Sequence, residues 1–278
     1  MSIGKIFKES LKFPKDNLMN LGMLGVLFLV SNAFIIGLTL IGLYLPNIGG
    51  TVSFIGLVIG LLINFIIMGY SISIIKNTIF LKSKAPEFEL KKNLENGIKS
   101  FIIGIIYSII PVLILVTVGL ANGFYNSFIQ ITNLSMNNFN SIFQINSYVP
   151  QTLLNNFIIE LSIIVLIGVI IGIIFALFYY ISICIFAKTE SLTQSLNMKK
   201  IVSDIRKIGW INYTISIILL IIISIILIIL FDVILTIVGM IPVIGLTLSL
   251  FISMVIFAPY LVIFQSRTVG LIYNEKNK

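Results

Sequence analysis

The run Ile217-Ile218-Leu219-Leu220-Ile221-Ile222-Ile223-Ser224-Ile225-Ile226-Leu227-Ile228-Ile229-Leu230-Phe231 decides the fold class. It belongs to a longer stretch, 211–231, that holds no charged residue. A helix of about 20 apolar residues spans the hydrocarbon core of a bilayer, where only helices and closed barrels satisfy their backbone groups. Barrel strands alternate polar and apolar residues, and this run does not. Five further apolar runs occupy 18–45, 50–75, 101–121, 156–187 and 243–264, with Glu160 the one charged residue among them. The expected fold is therefore an all-α polytopic bundle of six transmembrane helices, with 1–278 forming a single transmembrane domain. Composition agrees: 10% of the residues are charged, against about 25% in soluble domains. Pro111 and Pro259 fall inside spans, where a missing amide donor is expected to kink the helix.

The 18 basic residues set the orientation. All lie in 1–17, 76–100, 188–210 and 265–278, and the three opposite loops hold none. Segments that retain Lys and Arg stay on the cytoplasmic side, so both termini are expected in the cytoplasm. The N-terminal apolar run is too long for a signal peptide and lacks a small-residue cleavage pattern, so it reads as an uncleaved first helix.

Each odd-numbered span follows an amphipathic basic segment. Ile3, Phe7 and Leu11 share a helical face, and Pro14 is expected to break that segment. Leu90, Leu94 and Ile98 recur at intervals of four, as do Ile201, Ile205 and Ile208 at nearly the same spacing. Such helices are expected to lie along the headgroup boundary with lysines toward phosphates. The chain then reads as three pseudo-repeats of foot helix plus hairpin, 1–75, 76–187 and 188–278. The outer loop 122–154 is uncharged, with Phe124/Phe128 and Phe139/Phe143 each spaced for a short helix.

The chemistry is mostly exclusion. Histidine is absent and Cys184 is the one cysteine. That removes histidine-based metal sites, the serine–histidine arrangement and an intrachain disulfide. No nucleophile elbow or phosphate-cradling loop occurs. No catalytic residue, metal site or cofactor is read, and an enzyme is not expected. The net charge of +8 sits beside spans, which favours anionic lipid headgroups over nucleic acid. Glu160 and Asp232 lie outside the basic segments and are candidate functional carboxylates, both expected near the outer boundary. Gly56-x-x-x-Gly60 and Gly168-x-x-x-Gly172 allow close helix approach, within the chain or at a dimer face. Asn32, Asn64 and Ser108 are expected to bond within the bundle.

One stretch is more particular. Gly69-Tyr70, Ile74-Ile75-Lys76-Asn77-Thr78, Pro86-Glu87-Phe88 and Asn93-Leu94-Glu95-Asn96-Gly97-Ile98-Lys99, with the ending Arg267-Thr268-Val269-Gly270-Leu271-Ile272-Tyr273, resemble a prokaryotic, largely archaeal family of multi-pass membrane proteins. It is domain-of-unknown-function family 4013. Ala85 departs from the Leu that often precedes the proline there. The resemblance implies a multi-pass protein of a prokaryotic plasma membrane and carries over no catalytic residue. Physically, Pro86 and Glu87 suit a helix start and Phe88 an apolar anchor, so the motif reads as a hinge or as an interaction epitope. The expected function is non-catalytic: organising partners or anionic lipids through the basic segments, with a possible membrane protein partner. The alternative is a small transporter or channel component that uses the two prolines and the two carboxylates.

Overall fold

The computed structural model describes residues 2–45, 47–137 and 149–277, which form helices and turns with no strand among them. Six helices are long and apolar enough to cross a membrane. The first combines α2 (Leu18–Asn32), a π-helical turn (Ala33–Gly37) and α3 (Leu38–Leu43). The next four are α4 (Gly49–Ile79), α5 (Leu90–Ala121), α7 (Gln151–Thr189) and α10 (Trp210–Gly239). The last combines α11 (Gly245–Ile252), a second π-helical turn (Ser253–Phe257) and α12 (Ala258–Asn274). Shorter helices are α1 (Ile3–Asp16), α6 (Phe124–Asn137), α8 (Leu192–Ser195) and α9 (Met198–Ile208). The helix expected around Phe124/Phe128 is α6, and their rings stack 6.2 Å apart. Phe139 and Phe143 lie outside the described residues.

Two compact units divide the chain. Unit 1 is Met1–Gly104 with Leu177–Lys278, and unit 2 is Ile105–Ala176. These boundaries differ from those of the expected three-part repeat. Unit 1 holds all 18 basic residues. A core cluster of buried side chains in it, Phe13, Leu24, Ile67, Tyr70, Ile74 and Ile263, draws on α1, α2, α4 and α12. Many apolar side chains along α10 and α11 remain exposed, as expected where lipid and not water is the neighbour.

Helices gain no hydrophobic drive from packing together in lipid, so close backbone contact and internal hydrogen bonds must hold them. Gly69 of α4 abuts the Asn93 carbonyl of α5, and Gly97 of α5 abuts the Phe65 carbonyl of α4. The contact is reciprocal, and a Cβ at either glycine would overlap backbone. Of the two small-residue patterns, Gly56 and Gly60 pack against Phe34 and Ile35 of the first span, whereas Gly172 faces open space. Asn64 donates to Ser31 Oγ at 2.7 Å and Ser31 donates to the Gly60 carbonyl at 3.0 Å, joining the same pair of helices. Asn32 and Ser108 bond to carbonyls of their own helices.

The α-helix runs unbroken through Pro111. Pro259 is the second residue of α12, just past the π-helical turn Ser253–Phe257, which takes up the register change there.

Three expectations about the basic segments are corrected. Pro14 does not break α1, which continues to Asp16. The break falls at Asn17, whose side-chain amide turns back to the Phe13 carbonyl at 2.9 Å and closes the helix. The apolar faces of α1 and α9 are covered by protein: Ile6, Phe7 and Phe13 are buried, as are Ile201 and Ile205. The segment before the third span is no separate helix, since α5 begins at Leu90 and runs through it. Its inward face is the polar one, Asn93, Asn96, Gly97 and Ser100, while Leu90 and Ile98 point outward. The two reciprocal glycines dictate this, because the face carrying Gly97 must meet α4.

Gly69→Ala is expected to destabilise the protein by about 1–3 kcal/mol through overpacking. Gly172→Ala, with nothing within 4 Å of the added methyl, should stay within about 0.5 kcal/mol of the parent. Thermal unfolding in a mild detergent measures both.

Candidate functional site

The residues singled out by the family resemblance converge at one end of unit 1, where the basic segments meet. Tyr70, next to Gly69, is fully buried. Its hydroxyl donates to the Pro86 carbonyl at 2.9 Å and accepts from Asn20 Nδ2. Asn20 also donates to the same carbonyl at 3.2 Å, and Asn17 Oδ1 accepts from the Ala85 amide at 2.9 Å. The Phe88 ring packs tilted on Tyr70, 5.9 Å between centroids. The Pro86-Glu87-Phe88 segment is thus strapped down as a loop and does not start a helix, because the carbonyl of Pro86 is taken by Tyr70 and Asn20. Asn96 and Gly97 are buried on the inward face of α5.

The ending that resembles the family's close is the second strap. Arg267 is 5% exposed. Its guanidinium donates to Thr78 Oγ1 at 3.2 Å and to the Lys82 carbonyl at 2.8 Å, and pairs with Glu9. It also lies 4.5 Å above the Phe13 ring centre. A buried cation is tolerated only when so paired and bonded, and this one joins α12, α1, the end of α4 and the loop beyond it. Gly270 leaves just the room that Thr78 occupies. Farther along, Tyr273 and Lys276 both donate to Asp204 Oδ2 at 2.7 Å, closing the C-terminal turn onto α9. Burial pushes the Lys276 ammonium below its usual range, opposed by the bond to Asp204. Near the same end, Lys76 pairs with Glu190.

An open hollow of about 530 Å³ lies beside the strapped loop. Lys76, Lys82, Lys84 and Lys92 line it, with Asn77, Glu87 and Glu89. Lys82 and Lys84 form no ion pair among the described residues, and Lys92 has a weak one to Glu89 at 3.5 Å. Four cations face two carboxylates, so the hollow is net positive. It has the chemistry of an anion site.

The two acids set apart in the sequence belong to different units. Asp232 of unit 1 is exposed, and its carbonyl accepts from Thr236 Oγ1 at 2.8 Å. Glu160 of unit 2 sits beside Gly123, and its carbonyl accepts from Asn122 Nδ2 at 2.9 Å. Its Oε2 is buried without a hydrogen-bond partner among the described residues. The described residues contain no group of three or more metal-ligating side chains.

Sequence reasoning did not single out Asn17, Asn20 or the buried roles of Arg267 and Asp204. A signal existed for Arg267: it is one of only two arginines among 18 basic residues, and arginine is the cation suited to buried, multiply bonded positions.

Six spanning helices and a basic, polar-strapped end define a polytopic α-helical membrane protein. Residues 52–237, well over half of the chain, match the family described as protein of unknown function (DUF4013), and the chain belongs to that family. No curated protein and no solved structure matches the chain.

Two outcomes test the straps. Tyr70→Phe is expected to cost about 1–2 kcal/mol in thermal unfolding, since the Pro86 carbonyl and Asn20 lose their shared partner. The Lys76–Glu190 pair holds the Glu190 carboxyl below its ordinary 4.5, first through the hydrogen bond from Lys76. Its contribution is therefore complete above that pH and is lost as pH falls through the lowered value. Both side chains are about a third or more exposed, so the loss should be below about 1 kcal/mol. Glu190→Gln should flatten that part of the acid limb when unfolding midpoints are measured against pH.

Proposed function

We propose that this protein is a non-catalytic membrane-organising component that gathers anionic lipid headgroups at its basic end, on the cytoplasmic side of a prokaryotic plasma membrane. The hollow lined by Lys76, Lys82, Lys84 and Lys92 is the observation that carries this reading. A headgroup phosphate entering it meets a net positive field and the uncommitted ammonium groups of Lys82 and Lys84. Beside it, α5 turns Leu90 and Ile98 outward, 60% and 39% exposed. Acyl chains thus find an apolar surface on the same helix that presents Lys91 and Lys92. The excess of basic residues at one end of the spans supports the cytoplasmic orientation.

A second reading, a small transporter or channel component, is favoured by the orphaned carboxylate oxygen of Glu160. Such an oxygen is a place for a proton or a cation. Equal proton leak from liposomes carrying the parent and Glu160→Gln would remove it.

The first reading is tested on protein purified in mild detergent and exchanged into mixed phosphatidylglycerol and phosphatidylcholine, with retained lipid measured by mass spectrometry. The parent should retain phosphatidylglycerol preferentially. Lys82→Gln, Lys84→Gln and Lys92→Gln together should reduce that preference at least tenfold, at about 1 kcal/mol per lysine. An unchanged preference would reject the proposal.

A further inference from the structure

A second hollow lies on unit 1, among α4, α5, α7 and α12, and its lining differs in kind from the basic one. It holds about 240 Å³. Its polar lining is Ser71, Ser100, Tyr179, Tyr180, Gln265 and Ser266; the rest is Met, Ile and Val. No charged side chain lines it.

Most of these polar groups are already engaged. Ser71 donates to the Met68 carbonyl at 2.6 Å and Ser266 to the Val262 carbonyl at 2.7 Å. Tyr179 is bonded to Ser100. Gln265 Nε2 donates to Ser224 Oγ at 3.1 Å. Two functions remain: the Tyr180 hydroxyl and the Gln265 carbonyl oxygen have no hydrogen-bond partner among the described residues. One donates and both accept.

The surrounding charges are also spent. Lys76 follows Ile75 of the lining and is paired with Glu190, while Lys99 precedes Ser100 and is paired with Glu95. Arg267 follows Ser266 and is paired with Glu9. A charged headgroup placed here would lose its hydration and find no free counter-charge, which is costly. An uncharged headgroup with one hydroxyl and one carbonyl would satisfy both remaining functions.

Depth points the same way. Ser71 and Ser100 lie within about 8 Å along their helices of Lys76 and Lys99, at 1.5 Å per residue. With those lysines drawn to the headgroup phosphates, the hollow falls at the level of the glycerol portion of a lipid. Volume allows it as well, since a hollow of about 240 Å³ has room for a small polar group of several heavy atoms.

We propose that this hollow is a binding site for an uncharged, hydroxyl-bearing lipid of the diacylglycerol class. The lipid hydroxyl donates to Gln265 Oε1, and Tyr180 donates to an ester carbonyl. The site is independent of the basic groove and would stand if that groove bound nothing.

Native mass spectrometry of the whole protein in detergent tests it, with dioleoylglycerol and dioleoyl phosphatidic acid as matched probes. The two share their chains and differ by the phosphate. The parent should retain one equivalent of dioleoylglycerol. Tyr180→Phe, which keeps the ring and loses only the hydroxyl, should weaken retention about threefold, and Tyr180→Phe with Gln265→Leu about tenfold. Lys82→Gln with Lys84→Gln should leave it unchanged, which separates this site from the proposed lipid-organising role. If the parent retained no dioleoylglycerol, or retained it equally well after Tyr180→Phe, the assignment would be wrong. Phosphatidic acid retained as tightly as dioleoylglycerol, with the same dependence on Tyr180, would also overturn it, since a site without a free positive charge should disfavour the phosphate.

Discussion

The basic end of this protein depends on the reciprocal contact between Gly69 and the Asn93 carbonyl, and between Gly97 and the Phe65 carbonyl. In lipid, two helices gain little by covering each other's aliphatic side chains, because the hydrocarbon around them is equally apolar. They gain by approaching closely enough for backbone contact. Once α4 and α5 meet at those glycines, the rest of α5's register follows. Asn93, Asn96 and Ser100 must face inward, and Ser73 donates to Asn93 Oδ1 at 3.1 Å. Tyr70, one residue after Gly69, then stands where its hydroxyl reaches the Pro86 carbonyl.

Charge supplies a different kind of order. Arg267 with Glu9 and Lys276 with Asp204 are buried or half-buried pairs that draw the first helix and the C-terminal turn onto the bundle. Such pairs are poor sources of net stability, because desolvating both ions offsets most of their attraction. Their value is in fixing an arrangement: an Arg267 displaced by one helical position would leave its charge buried and unpaired. Steric contact sets how closely the helices approach, and the ion pairs set which segments close over their end.

The six spans were legible in the sequence because a membrane allows few ways to bury a long uncharged run. What failed was the reading of amphipathic faces. Leu90 and Ile98 do point out of the protein, as expected of a lipid-facing stripe, but they do so on the first turns of α5 and not on a separate foot helix, and the polar face beside them is the packed one. Spacing alone does not say whether lipid or protein covers an apolar stripe. In α1 and α9 it is protein, since Ile6, Phe13, Ile201 and Ile205 are buried. The motif residues Gly69, Tyr70, Pro86 and Gly97 were recognisable as a pattern, yet their purpose was not. A glycine that must admit a carbonyl, or a tyrosine that must hold a loop 16 residues away, looks in sequence like any other. Asn17 and Asn20 were overlooked for the same reason, because their partners, Ala85 and Pro86, are more than 60 residues distant.

The two hollows owe their opposite chemistry to one stretch of α4. Met68, Ser71, Ile72 and Ile75, spaced three and four apart, line the neutral hollow, while Ser73, Lys76 and Asn77, spaced in the same way, line the basic one. Helical periodicity puts these sets on different faces. Lys76 stands between them, and its pairing with Glu190 decides how far its charge is felt on either side. Paired, it leaves the neutral side without a free cation, and the basic groove relies on Lys82, Lys84 and Lys92. Were Glu190 to let go, Lys76 would strengthen the groove and bring an unpaired ammonium beside Ile75. One ion pair, between α4 and the residue that follows α7, therefore separates a surface suited to phosphate from a hollow suited to an uncharged lipid.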